Sequence, residues 1–234
     1  QLDYTAIPYY EYSYILKGAT KFDKINSVVK NDDIRFGSLV YREMIWTFGM
    51  NNLPAFRDEE FISSEKDYMV SMIFQISTIH NPRGGKQSYI STWPELATDF
   101  HKDSDFGGYI KSSEKEGKKI LPTLELDGKS QLEQAKIITR HVKSMYNWNG
   151  FYGRYSSGKV SNFLKQKTGN VADLNLYLVG LLRAAGLDAN AVLISTRENG
   201  SISKLHPFRS FFNYVIAEVT IDNVKYDLDA TVSL

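Results

Sequence analysis

Residues 171–185 are almost continuously apolar, and Leu174, Leu178, Leu181 and Leu182 fall on several sides of a helix rather than along one stripe. A helix of this kind is buried on most of its surface, so the rest of the chain must supply partners all round it. Its ends are marked. Asn170 is a good N-cap, and Asp173 stands three residues on, where a carboxylate meets the exposed amides and the positive helix end. Gly186 supplies the stop. Strands are predicted over residues 190–196, 212–221 and 224–229, and Asp222-Asn223 reads as the tight hairpin turn joining the last two. Upstream, Ser130-Gln131-Leu132-Glu133 fits a capping box, and Leu132, Ala135, Ile138, Val142 and Met145 recur at helical spacing along one face. A shorter helix is predicted over 160–167, ending near Gly169.

The first hundred residues follow a different pattern. Residues 68–77 are rich in β-branched and aromatic types, with Tyr68, Val70, Met72, Phe74 and Ile76 in one phase. Residues 10–16 and 41–48 look similar, and turns are predicted at 51–54 and 81–85. The aromatic stripes read as core. Residues 93–100 read as a short helix with Thr92 as N-cap and Pro94 in its first turn. With 234 residues, one large domain or two small ones are both open. The expected class is α+β. Residues 1–100 form a β-rich, sandwich-like portion. Residues 101–129, polar and rich in Gly, Lys and Ser, form a linker, and 130–234 form a domain with a buried helix packed on an antiparallel sheet.

Several function classes are excluded or left without support. Lys plus Arg number 28 and Asp plus Glu 27, a balance that gives no footprint for nucleic acid or an anionic membrane. There is no cysteine, hence no disulfide, zinc-thiolate site or cysteine nucleophile. His80, His101, His141 and His206 do not pair at metal-ligand spacing, so neither a metal nor another cofactor is expected. No stretch approaches the roughly 20 apolar residues of a membrane span. The N-terminus has no basic and apolar leader pattern, which fits a removed signal peptide or a fragment. Thr168-Gly169-Asn170 lacks the glycines and lysine of a phosphate loop, and Ser195 lacks a nucleophile elbow.

The stretch from Thr168-Gly169-Asn170-Val171-Ala172-Asp173 to Leu181-Leu182-Arg183-Ala184-Ala185-Gly186-Leu187 resembles the signature of bacterial transglutaminase-like domains, in which a Gly-x-Cys turn opens the buried helix. Phe212-Asn213-Tyr214-Val215-Ile216-Ala217-Glu218-Val219 resembles the strand that carries the family's catalytic His. Leu228-Asp229-Ala230-Thr231 resembles its Asp-Pro-Thr segment. The resemblance implies a papain- and transglutaminase-like fold. Counting back from Arg183 as the family pattern does places its Cys at Val171, and counting back from Asp229 places its His at Asn213. Two of three reactive groups are then missing. The family chemistry needs a thiolate at a helix N-terminus and an imidazole that moves a proton. Valine and asparagine do neither, and Asp229 is left as an orienter with no ring to orient. Residues 53–60, Asp67-Tyr68, Ser91-Thr92-Trp93, residues 194–200 and 207–213 further resemble a Bacteroidetes-type family. That family places a β-rich domain of unknown function, the DUF3857 type, before a transglutaminase-like domain. This implies an exported, periplasmic or cell-envelope protein.

Each candidate has a plain alternative. Asn170 and Asp173 read as caps, or else as the lining of a vestigial cleft. Val171 is either an apolar floor to that cleft or a filler of core space. Asn213 is expected either to hydrogen-bond Asp229 as a neutral substitute for a His–Asp pair or to leave Asp229 at a solvated strand end. Ser195 and His206 are the remaining candidates for the cleft. The resulting expectation is a non-catalytic module. It binds a peptide, protein or glycan in the vestigial cleft, or serves as a scaffold, with no nucleic-acid partner. The alternative is a peptidase or amidase rewired around Ser195 or His206. A third reading is a structural envelope component with a closed cleft that interacts through an exposed sheet edge or an aromatic patch.

Overall fold

The computed structural model describes residues 2–232 except 7–9, 18–22, 30–32, 37–38, 42–43, 50, 52–54, 58–59, 82–83, 90–91 and 206. It divides into two compact units, one of residues 1–96 with 203–208, the other of 97–202 with 209–234.

The first unit is built from β-strands, as its aromatic and β-branched runs predict. Strands β1 (Leu2–Ala6), β2 (Tyr10–Lys17), β3 (Asp23–Val29), β4 (Ile34–Phe36), β5 (Leu39–Tyr41) and β6 (Met44–Gly49) are followed by a single helical turn, α1 (Glu65–Tyr68). Then come β7 (Ser71–His80) and β8 (Lys86–Ser88). They form antiparallel sheets in the orders β1-β6-β3, β2-β7-β8 and β4-β5. Phe48 of β6 meets Phe74 of β7 with ring centroids 6.4 Å apart, so two of these sheets share an aromatic contact. The strand expected over 68–77 starts three residues later. Tyr68, expected inside, belongs to α1 and is 58% exposed. Glu65 and Asp67 favour a helical first turn, which overrides the β preference of the tyrosine. The two glycines of the 81–85 turn both take positive φ, Gly84 at 99° and Gly85 at 89°. Residues 42–43, 52–54 and 82–83, on which other expected strand and turn positions fall, lie outside the described residues.

Helix α2 (Trp93–Lys102) runs across the boundary between the units. Thr92 caps it: its hydroxyl accepts from the Glu95 amide at 3.3 Å, and the Glu95 carboxylate takes the Thr92 amide at 3.1 Å.

The second unit holds α3 (Gly107–Ile120), α4 (Gln131–Met145), β9 (Asn147–Trp148), α5 (Val160–Gln166), β10 (Thr168–Gly169) and α6 (Val171–Ala184). A sheet follows, made of β11 (Asp188–Ile194), β12 (Tyr214–Ile221) and β13 (Val224–Leu228). It is antiparallel with β12 at its centre. Helix α6 is the hub. Its residues from Val171 to Leu182 are all buried, and it packs on α3, α4, β11 and β12. The inward residues of β12, namely Val215, Ala217, Val219 and Ile221, alternate with half-exposed ones, so one sheet face lies on the helix. Burying each large aliphatic chain this way contributes roughly 1.5–3 kcal/mol.

The ends of α6 form as the sequence predicts. Asn170 and Asp173 make a reciprocal capping box. At the other end Gly186 takes φ 82°, Leu187 donates to the Leu182 carbonyl, and Gly186 to that of Arg183, a Schellman closure. Ser130 and Glu133 cap α4 in the same reciprocal way. Asp222 and Asn223 take φ of 52° and 62°, which gives the β12–β13 hairpin a turn matched to strand twist.

The stretch expected as a linker, 101–129, contains α3. Its buried residues are Gly107, Tyr109, Ile110, Ser113 and Gly117, so beyond Ile110 small residues stand where large apolar ones would announce a buried helix. They let α3 approach α6 closely, Gly117 against Ala184 and Gly180 against Ser113 and Ile110. Among the described residues no helix is long and apolar enough to cross a membrane.

A Cβ added at Gly180 would stand 2.8 Å from the Glu114 nitrogen and 2.9 Å from the Ile110 oxygen, backbone atoms that yield only if α3 moves. Gly180→Ala is expected to lower unfolding stability by about 1–3 kcal/mol in urea titration. Gly158→Ala, where the added carbon meets open space, is the near-neutral control.

Candidate functional site

The site lies where the N-terminus of α6 faces the start of β12 and the end of β13. Val171 is the first residue of α6, and its side chain has 0% exposure. Its amide donates to the Phe151 carbonyl at 3.2 Å. That carbonyl also accepts from the Trp148 indole at 3.0 Å. The helix end is neutralised further by its cap. The Asn170 side chain accepts from the Asp173 amide at 2.8 Å, and Asp173 accepts from the Asn170 amide at 2.9 Å. Asp173 also holds the Ser157 hydroxyl and amide, at 2.6 and 3.0 Å. Both caps are therefore committed to structure, with every Asp173 oxygen satisfied inside the fold.

One turn further along α6, Asn175 is fully buried. Its amide nitrogen donates to the Val215 carbonyl and to Asp229 Oδ1, each at 3.0 Å, and its oxygen accepts from the Ala230 amide at 2.8 Å. A single carboxamide thus ties the helix to both β12 and the end of β13. It was not anticipated from the sequence. The available signal was an asparagine inside a run of aliphatic residues, because a polar group at such a position must find partners.

Asp229 is surrounded by donors. Besides Asn175, Oδ1 accepts from the Thr231 amide at 2.9 Å and the Thr231 hydroxyl at 2.8 Å, and Oδ2 from the Tyr214 hydroxyl at 2.7 Å. Burial alone would raise its pKa. The hydrogen bonds from Asn175, Thr231 and Tyr214 outweigh burial and hold it below the usual carboxylate value. Tyr214 moves the other way: burial first, then its bond to the Asp229 carboxylate, push its phenol well above the ordinary tyrosine value.

The expected Asn213–Asp229 contact is not made. The Asn213 amide donates to the Thr196 hydroxyl at 2.8 Å, and its oxygen accepts from the Thr196 amide at 2.9 Å, so the side chain belongs to the loop after β11. The reason is alternation. Asn213 directly precedes β12, whose first residue is Tyr214, and neighbouring side chains along an extended chain point to opposite faces. Tyr214, on the other face, is the residue that reaches Asp229. Ser195 donates to the Gly200 carbonyl at 2.6 Å and accepts from the Asn199 amide at 3.0 Å, and it is not joined to the Val171–Asp229 cluster by any of these bonds. His206 lies outside the described residues.

Chemically, the cluster is a set of neutral donors around one ionised carboxylate beside an aliphatic helix tip. Among the described residues no three His, Cys, Asp or Glu side chains group as metal ligands. A cavity of about 480 Å³ is lined by Tyr109, Glu116, Lys159 and neighbours, but by none of Val171, Asn175, Tyr214 or Asp229.

Residues 120–228 match the family model described as the transglutaminase-like superfamily. None of the curated proteins matches the sequence. Among solved structures, a candidate protease from Parabacteroides distasonis is 16% identical with a TM-score of 0.63. The alignment covers 98% of this chain and 39% of that one, so the chain spans well under half of that protein's length. A candidate cysteine protease from Cytophaga hutchinsonii is 13% identical, with a TM-score of 0.39, covering 98% of this chain and 74% of that one. Residues 120–228 are thus similar to the transglutaminase-like superfamily, and the fold is α+β, consistent with a papain-like one.

Two outcomes test this geometry. Val171→Cys introduces the chain's sole thiol. Buried at the helix tip, it is expected to react with a disulfide reagent at less than about a tenth of its rate in urea. Asp229 has a folded pKa below the unfolded value of about 3.9, so its contribution to stability is complete above that value and is lost as pH falls through the folded pKa. Asp229→Asn is expected to be less stable at pH 7, with the gap closing on acidification below about pH 4 in chemical denaturation.

Proposed function

We propose that this chain is a non-catalytic transglutaminase-like protein, a binding or scaffold module of a bacterial cell envelope. Its β-rich first unit is, on this reading, the DUF3857-type companion of the second. The observation that carries the proposal is the tip of α6: an aliphatic, fully buried side chain whose amide is already bonded to Phe151. The acyl-transfer chemistry implied by the resemblance needs a nucleophile at that tip, free donors for a developing oxyanion and a ring that shuttles a proton. Val171 offers no nucleophile, and its N–H has a partner.

The ring slot, on this reading, belongs to Tyr214, which holds the hydrogen bond to Asp229 that an imidazole would make. Its raised pKa keeps the phenol protonated at neutral pH, so it donates to the carboxylate without acting as a base. The Tyr214–Asp229–Asn175 set then serves as a structural clasp. Ser195, on which a rewired hydrolase would rest, has its proton committed to a backbone carbonyl. An exported setting rests on the family resemblance alone.

Purified protein is expected to show no amine incorporation, glutamine deamidation or peptide cleavage above buffer. Turnover that Ser195→Ala or Tyr214→Phe abolishes while leaving the melting curve in place would overturn the reading.

A further inference from the structure

The loop that closes the tip of α6 also displays three large aromatic side chains. Trp148 is 37% exposed, Phe151 71% and Tyr152 51%. Single exposed apolar residues are ordinary, but neighbouring large ones mark an interaction surface. They are not exposed because the loop is loose. Asn149 donates through its amide to the Gly169 carbonyl at 2.9 Å, and its side chain takes the Phe151 amide at 3.0 Å. The Phe151 carbonyl receives both the Trp148 indole and the Val171 amide. Trp148 and Tyr152 stack with centroids 5.6 Å apart, and Tyr152 leans on Tyr214 at 5.6 Å. The rings are preorganised, so a ligand that meets them pays little ordering entropy.

The surrounding sequence carries one sign of charge. Between Glu133 and Asp173 there are seven Lys or Arg and no Asp or Glu, in a chain otherwise nearly balanced. None of the seven forms a salt bridge among the described residues. Lys165 and Lys167 are exposed, and Lys167 sits beside the platform, because its carbonyl accepts the Asn147 amide where β9 meets β10.

We infer that this aromatic platform with its cationic flank binds an anionic polysaccharide, one whose pyranose rings carry carboxylate groups. Sugar C–H faces pack on the aromatic rings, and the carboxylates face Lys165 and Lys167. Two observations favour this partner over others. The loop's Asn149 amide, Phe151 amide and Phe151 carbonyl are already bonded within the chain, which removes the main-chain ladder that an added peptide strand would use. The chain as a whole is nearly balanced, with 28 Lys and Arg against 27 Asp and Glu, which gives no broad footprint for a nucleic-acid backbone. The inference deepens the non-catalytic reading by naming a ligand for the same end of the domain, and rests on it to that extent.

The test is affinity electrophoresis of the whole chain in gels containing polygalacturonate or alginate, with dextran, poly-glutamate and single-stranded DNA as comparisons. Retardation is expected in the uronate gels and not in dextran, weakening as salt rises from about 50 to 500 mM. Tyr152→Ala and, separately, Lys165→Glu with Lys167→Glu are expected to weaken it about tenfold or more, with unchanged melting curves. Phe151→Ala provides a second aromatic variant should Tyr152→Ala shift the melt. No retardation by either uronate polymer, equal retardation by poly-glutamate or DNA, or full retention by the folded aromatic variants would overturn the inference. Enzymatic turnover would overturn the non-catalytic reading and leave this binding result standing, whereas loss of uronate binding would do the reverse.

Discussion

The second unit depends on one requirement: α6 has no surface it can leave in water. A helix with every residue from Val171 to Leu182 buried is stable only with cover on all sides, and each neighbour is shaped by that demand. The sheet supplies one side through the alternation of β12. Helix α3 supplies another by close approach across Gly117 and Gly180, and α4 a third through Ala135, Ile138 and Val142. The two ends are where such a helix is exposed to backbone desolvation, and both are closed within the chain, by the Asn170–Asp173 box and the Gly186 closure.

Polar groups inside this shell survive only when each is matched. Asn175 is the clearest case. Its carboxamide sits in the apolar run yet makes three hydrogen bonds, to Val215, Asp229 and Ala230. Removing one partner from such a network leaves a buried group unsatisfied, a cost of roughly 1–3 kcal/mol. Asp229 is stabilised as an anion by neutral donors instead of by an opposite charge, so the clasp holds without any group that titrates near neutral pH.

Much of the second unit was legible in the sequence, because its features are local. Ser130–Glu133 and Asn170–Asp173 state a backbone geometry through side chains three positions apart, and Gly186 and Asp222-Asn223 through their own tolerance of positive φ. What escaped has a different physical origin. Helix α3 reads as a linker because its buried face continues past Tyr109 and Ile110 with the small residues Ser113 and Gly117, and hydrophobic periodicity registers large ones. The start of β7 slipped because Glu65 and Asp67 favoured a helical turn where Tyr68 suggested a strand. At the site, Asn213 turns to Thr196 while its neighbour Tyr214 reaches Asp229. The side-chain period in a strand is two, so the smallest possible slip produces the largest change in what a residue touches. Asn175 required knowledge that Val215, Asp229 and Ala230 converge on it, a tertiary fact with no local signature.

The Phe151 carbonyl links these themes. By accepting the Val171 amide it completes the capping of a helix that cannot tolerate an open end, and by accepting the Trp148 indole it fixes the loop. The same two bonds take a donor away from the helix tip and hold Phe151 and Tyr152 outward as a rigid surface. On the reading proposed here, the loss of a reactive centre and the gain of a binding face are therefore one structural event. A helix tip that keeps a nucleophile must leave its first amides accessible to a reacting oxygen, and a loop that leaves them accessible cannot use them as anchors. Once the tip holds an aliphatic side chain, that conflict disappears, and the loop is free to dock on the helix and present its aromatic rings to something outside.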